Sequence, residues 1–137
     1  MMLDWNGFFA LAENLALSDD IGALRSAISR AYYAAYHVAS LLLELEGVEL
    51  PATGEAHHKV WASLKAQGRV RRMIGEDGFK LHGLRKRADY ATEFDGLSQD
   101  ATTAINTARR TLNKLSKEIE RYQVAQREGR SSCGPRH

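Results

Sequence analysis

Arg30, Tyr33 and His37 stand three and four residues apart in Ser29-Arg30-Ala31-Tyr32-Tyr33-Ala34-Ala35-Tyr36-His37, which sets a guanidinium, a phenol and an imidazole on one helix face. Such a face could line a ligand groove or join a working site. Tyr32 and Tyr36 share a second face. Tyrosines at this spacing are equally the half-buried residues of a core or an interface, their hydroxyls reaching a partner or water. A second constellation, Leu84-Arg85-Lys86-Arg87-Ala88-Asp89-Tyr90, sets three adjacent cations before an acid and a phenol. The planar fork of arginine can hold two phosphate oxygens without losing its charge, and the acid and phenol can address a ribose hydroxyl. The plainer alternative is a solvated face, with Asp89 paired to Arg85 or Lys86.

Other chemistries lack their signatures. The histidines, His37, His57, His58, His82 and His137, show no metal-ligand spacing, and adjacent His57 and His58 point to different helix faces, so no metal is expected. No phosphate-cradling or dinucleotide-binding glycine loop occurs, so no cofactor is expected either. A lone cysteine, Cys133, excludes an internal disulfide. Net charge is +2, but residues 1–56 carry eight acids against two bases, whereas residues 57–137 carry nine acids against seventeen bases. Eight of those bases lie between Lys65 and Arg87, a stretch that can follow a nucleic-acid backbone or serve only solubility.

The elements that must position these residues are helices. Ile21, Leu24, Ile28, Ala31, Ala35, Val38, Leu42 and Leu45 alternate three and four apart, an apolar seam over more than three heptads. Ser18 or Asp19 can cap its start and Gly47 can end it. A second seam runs Ala101, Ile105, Ala108, Leu112, Leu115, Ile119, Tyr122, with Ser98 as its cap and Gly129 as its latest stop. Shorter helices are expected over Trp5–Leu17, Glu55–Gln67 and Phe79–Tyr90, with Gly68, Gly75 and Gly78 bracketing a basic connection. No stretch alternates with period two. The fold class predicted is all-α, an up-and-down antiparallel bundle of four to five helices. No run is long enough to span a membrane and the first residues lack a signal-peptide pattern, so a soluble, cytoplasmic chain is expected.

Ala27 to His37 together with Arg85 to Tyr90 resembles the small prokaryotic HEPN proteins, whose second helix is tyrosine-rich and whose later helix carries an Arg/Ala-Asp-Tyr-type motif. A histidine opening the next helix completes the pattern, and His57 or His58 fits it; the resemblance spans about residues 5–125. It implies a HEPN-like helical bundle over residues 1–128; the composition of Gly-Arg-Ser-Ser-Cys-Gly-Pro-Arg-His separately predicts a disordered tail over 129–137. It also implies a homodimer, a minimal nucleotidyltransferase as partner, and RNA or a nucleotide as ligand in a toxin–antitoxin-like pair. The ligand would meet Arg85, Arg87, Asp89, Tyr90, Arg30, Tyr33, His37 and His58. Many members are metal-independent ribonucleases with an Arg-x4-6-His motif at the start of the final helical region, but reading on from Arg85 the fifth residue is Tyr90, and no histidine follows within seven residues of Arg87; the one Arg-x6-His that occurs, Arg30 to His37, belongs to the second-helix motif. A non-catalytic or regulatory component is therefore expected. The rivals are a ribonuclease toxin working through Arg85, Arg87, Tyr90 or His37, and a structural dimerisation module.

Overall fold

The computed structural model describes residues 5–90 and 96–131, which form an all-α bundle. Its helices are α1 (Trp5–Leu15), α2 (Ile21–Leu45), α3 (Glu55–Lys65), α4 (Arg69–Tyr90) and α5 (Leu97–Ser131). α2 is the central element, packing against each of the others. Its composition explains the position: Ala27, Ala31, Ala34, Ala35 and Ala39 are all fully buried, and a helix surface of methyl groups lets neighbours approach from several sides. Between the alanines, Ile28, Leu42 and Leu43 fill the core, each worth about 1.5–3 kcal/mol when removed from water. The α5 seam answers from the opposite side, with Ala101, Ile105, Ala108, Leu112 and Leu115 buried.

Helix ends follow local chemistry. Asp20, one residue after the expected caps, accepts from the Ala23 N–H at 2.9 Å and starts α2. Ser18 takes a supporting part, its hydroxyl accepting from the Asp20 N–H. At the other end Gly47, at φ 87°, closes a Schellman motif in which the Val48 N–H reaches the Leu43 carbonyl. α5 begins at Leu97, just after Gly96 at φ 77°, and runs through Gly129 to Ser131. The remainder of the expected tail, with Cys133 and His137, lies outside the described residues.

A further expectation is corrected. The basic stretch after Gly68 is not a connection: α4 starts at Arg69 and passes through Gly75 and Gly78 without a break. Both glycines are buried against α3. A methyl group on Gly78 would fall 2.1 Å from Trp61 Cε3, and one on Gly75 would fall 2.5 Å from the Trp61 carbonyl oxygen. Glycine is required here by close approach, not by a turn. The consequence for the site is direct, because this contact seats Trp61 and brings the faces of α3 and α4 together.

Candidate functional site

Where α2, α3 and α4 meet, aromatic and basic side chains form one continuous cluster. Tyr32, Tyr33, Tyr36 and His37 come from α2, His57 and Trp61 from α3, and His82 and Arg85 from α4. His57 lies between two roughly parallel rings, Tyr36 at 4.1 Å and His82 at 5.2 Å between centroids. Its Nδ1 is 2.5 Å from the Tyr32 hydroxyl, and that oxygen also receives the Trp61 Nε1–H at 3.1 Å. Tyr32 and Trp61 are both fully buried, so these polar atoms satisfy one another in the core rather than through solvent.

Arg85 borders the column. Its guanidinium lies over the Tyr33 ring at 4.8 Å and near the Tyr32 ring at 5.9 Å, a cation–π seat that holds the charge in place without neutralising it. Its Nε is 3.1 Å from Asp89 Oδ2, one turn onward, close enough for an ion pair but not aligned for a hydrogen bond. On the other side of the cluster His37 stacks on Trp5 of α1 at 4.4 Å, and Trp5 meets Phe8 edge-on. Arg30 joins at this margin, bonded to Ser26 at 3.0 Å with its guanidinium over Phe8 at 5.5 Å.

Burial sets the protonation states. It pushes the His82 imidazole down to about 4, assisted by the nearby charges of Lys86 and Arg85 and by His57. Burial lowers His57 as well, and Arg85 adds to the effect; His37 is lowered by burial alone. Burial raises the phenols of Tyr32 and Tyr36. At neutral pH the imidazoles of His37, His57 and His82 are therefore held neutral and the phenols of Tyr32 and Tyr36 protonated.

A stability consequence follows. Between pH 6.5 and about 4 the unfolded chain binds a proton at His82 that the folded protein refuses, so stability is expected to fall as pH falls through that window. Thermal melts across this range should show the slope, and His82→Gln should reduce it, leaving the smaller part due to His57 and His37; an unchanged slope in the variant would exclude His82 as a source.

A match to the HEPN domain family spans residues 8–119. The chain belongs to the HEPN family. That membership associates it with RNA-related function. Neither the curated proteins nor the solved structures gave a match.

Within this HEPN bundle the residues expected from sequence separate into two groups. Arg85, Tyr33 and His37 come together in the cluster, Asp89 supports it through Arg85, and Arg30 sits at its margin. Three others stand apart from it. The Arg87 guanidinium, two residues round the helix from Arg85, is held by Asp100 of α5 at 2.7 Å. Tyr90 is 78% exposed at the end of α4. His58 is exposed and its ring tilts against Phe79, so the α3 histidine in the cluster is its neighbour His57. His82 was not singled out by the motif reading. Its signal was available, since it precedes Arg85 by three residues and so shares its face of α4, whereas the Arg-x4-6-His pattern looks only forward. Trp61, the buried donor beneath the site, has no sequence signature beyond its place on an apolar stripe.

Proposed function

We propose that this HEPN protein binds RNA or a nucleotide through Arg85 and the ring cluster beside it, and does so without cleaving it. The observation that carries the reading is Arg85 seated over Tyr33 next to two imidazoles that stay neutral. The guanidinium supplies charge and a forked donor for a phosphate; the surrounding imidazole and phenol edges supply directional hydrogen bonds. Metal-independent cleavage of RNA also needs a proton donor for the leaving 5′-oxygen. An imidazole with a value near 4 is almost wholly deprotonated at neutral pH, and a guanidinium holds its proton too tightly to give it up. The cluster is better equipped to hold a phosphodiester than to break one.

In its wider setting the protein acts, on this reading, as the non-catalytic or regulatory component of a cytoplasmic toxin–antitoxin-like pair, as a homodimer with a minimal nucleotidyltransferase partner. The resemblance of the two motifs supports that setting. A ribonuclease remains the rival, favoured by the adjacency of an arginine and an oriented imidazole.

One experiment addresses both. Purified protein is titrated into a labelled single-stranded RNA at low salt without metal, and the same samples are run for cleavage. Arg85→Ala is expected to weaken binding by about ten-fold or more, the loss of a charge-assisted hydrogen bond. Arg87→Ala, which removes a guanidinium bonded to Asp100 and set apart from the ring cluster, should weaken it far less. RNA cut by the wild type and spared by Arg85→Ala would replace the binding reading with the ribonuclease. Equal binding by the wild type and Arg85→Ala would remove Arg85 from the site.

A further inference from the structure

We infer that Tyr32 and Trp61 act together as positioning residues that fix His57 with its proton on Nε2, so that the site offers its ligand an imidazole N–H rather than an imidazole lone pair. The role toward a ligand rests on the binding reading above; the tautomer rests only on the buried hydrogen bonds.

Trp61 Nε1 can only donate, and its neighbour at 3.1 Å is the Tyr32 hydroxyl oxygen, so that oxygen accepts. The phenol has one proton of its own, and His57 Nδ1 lies 2.5 Å away. If Tyr32 donates to Nδ1, all three groups are satisfied. If instead Nδ1 carried the proton, it and Trp61 would both donate to Tyr32, and the phenol's own proton would be left without an acceptor in a fully buried side chain. A buried donor without a partner is the costlier state, so the chain of bonds runs one way, from Trp61 to Tyr32 to His57. The Tyr36 and His82 rings on either side of His57 hold its plane, and the Tyr32 bond selects which edge faces inward. The proton of the neutral imidazole is then on Nε2.

This has a consequence for recognition. With Arg85 beside it, the site presents donors to its ligand. Such a set fits a group that only accepts, as the non-bridging oxygens of a phosphodiester do, and it disfavours a ligand group that must itself donate. It also removes Nε2 as a resting general base, in keeping with binding rather than cleavage.

The test is nitrogen-15 NMR of the histidine side chains in the full chain at neutral pH. His57 is expected to show a protonated Nε2 and an unprotonated, hydrogen-bonded Nδ1, and Tyr32→Phe should shift the Nδ1 signal toward that of an unbonded nitrogen. A protonated Nδ1 in the wild type, or averaging between the two tautomers, would overturn the inference whether or not any variant folds. The ligand role is read separately with the single-stranded RNA. Glutamine can set an amide N–H close to the position of Nε2 and asparagine cannot, so His57→Asn is expected to lose about ten-fold in affinity and His57→Gln distinctly less. Equal losses in the two variants would refute the donor role. If Arg85→Ala also left RNA affinity unchanged, the binding reading itself would fail, and the tautomer result would stand apart from that failure.

Discussion

Replacing Gly78 with alanine is expected to destabilise the protein by about 3 kcal/mol, which for a chain of this size lowers Tm by about 10 °C. The direction is opposite to the usual one, since alanine in a helix interior is ordinarily better than glycine by about 1 kcal/mol. Here the new methyl group would lie 2.1 Å from Trp61 Cε3 and 2.2 Å from Cδ2, overlapping the indole ring. Trp61 has nowhere to withdraw: it is fully buried and its Nε1–H is committed to Tyr32. Either α3 and α4 part, exposing core, or the indole turns and the phenol beneath the site loses its donor. Gly83 on the same helix is the control, because a methyl group there would meet nothing within 4 Å. Gly83→Ala should be neutral or stabilising by up to about 1 kcal/mol. Thermal and urea melts of the two variants decide the matter, and equal effects at both positions would refute close packing as the reason for Gly78.

The same glycine marks where sequence reasoning stops. Periodicity located both long helices because α2 and α5 bury an apolar seam, and burying a seam is what three-four spacing means physically. Ile21 and Leu45, the outermost residues of the first seam, prove 45% and 37% exposed, because a seam outruns the core at its ends. α4 was half hidden. Gly75 and Gly78 among basic residues have the composition of a connection, and only the opposing indole shows that they are points of contact. The site divides along the same line. Tyr33 and His37 could be named from helical spacing within one segment, and Arg85 from the run of adjacent cations ahead of Asp89 and Tyr90 in another. The choice of His57 over His58 depends on the rotation of α3 about its axis, and the meeting of His57 with His82 depends on how α3 and α4 dock, which neither segment encodes alone. Arg87 and Tyr90 share a motif with Arg85, but two and five residues along a helix turn them onto other faces.

The second large effect is expected at Arg71, whose removal should cost about 3 kcal/mol. This guanidinium, in the first turns of α4, binds Glu46 at the end of α2 through two contacts of 2.6 and 2.8 Å. It also donates through Nε to Glu118 of α5 at 2.8 Å and reaches Gln67 at 2.6 Å. With side-chain exposures of 15% for Arg71 and 9% for Glu118, this is a shielded clasp, unlike the solvated pair of Arg109 and Glu13 at 47% and 40%. The hydrogen bonds that Arg71 donates to Glu46 raise the guanidinium above its ordinary value against the opposing effect of burial. Arg71→Ala would leave Glu118 buried with only Arg121, itself 72% exposed, to answer its charge among the described residues. An uncompensated buried carboxylate, rather than a missing attraction, is the main source of the loss. Removing both charges should therefore hurt less than removing one, so Arg71→Met combined with Glu118→Leu is expected to recover most of the stability. A coupling of about 2 kcal/mol in the double-mutant cycle would establish the clasp, and additive losses would dismiss it. Arg71 precedes Arg85 by fourteen residues, about 21 Å along the helix. Well below its melting temperature, Arg71→Ala should accordingly bind RNA as the wild type does, which separates a variant that loosens the bundle from one that alters the site.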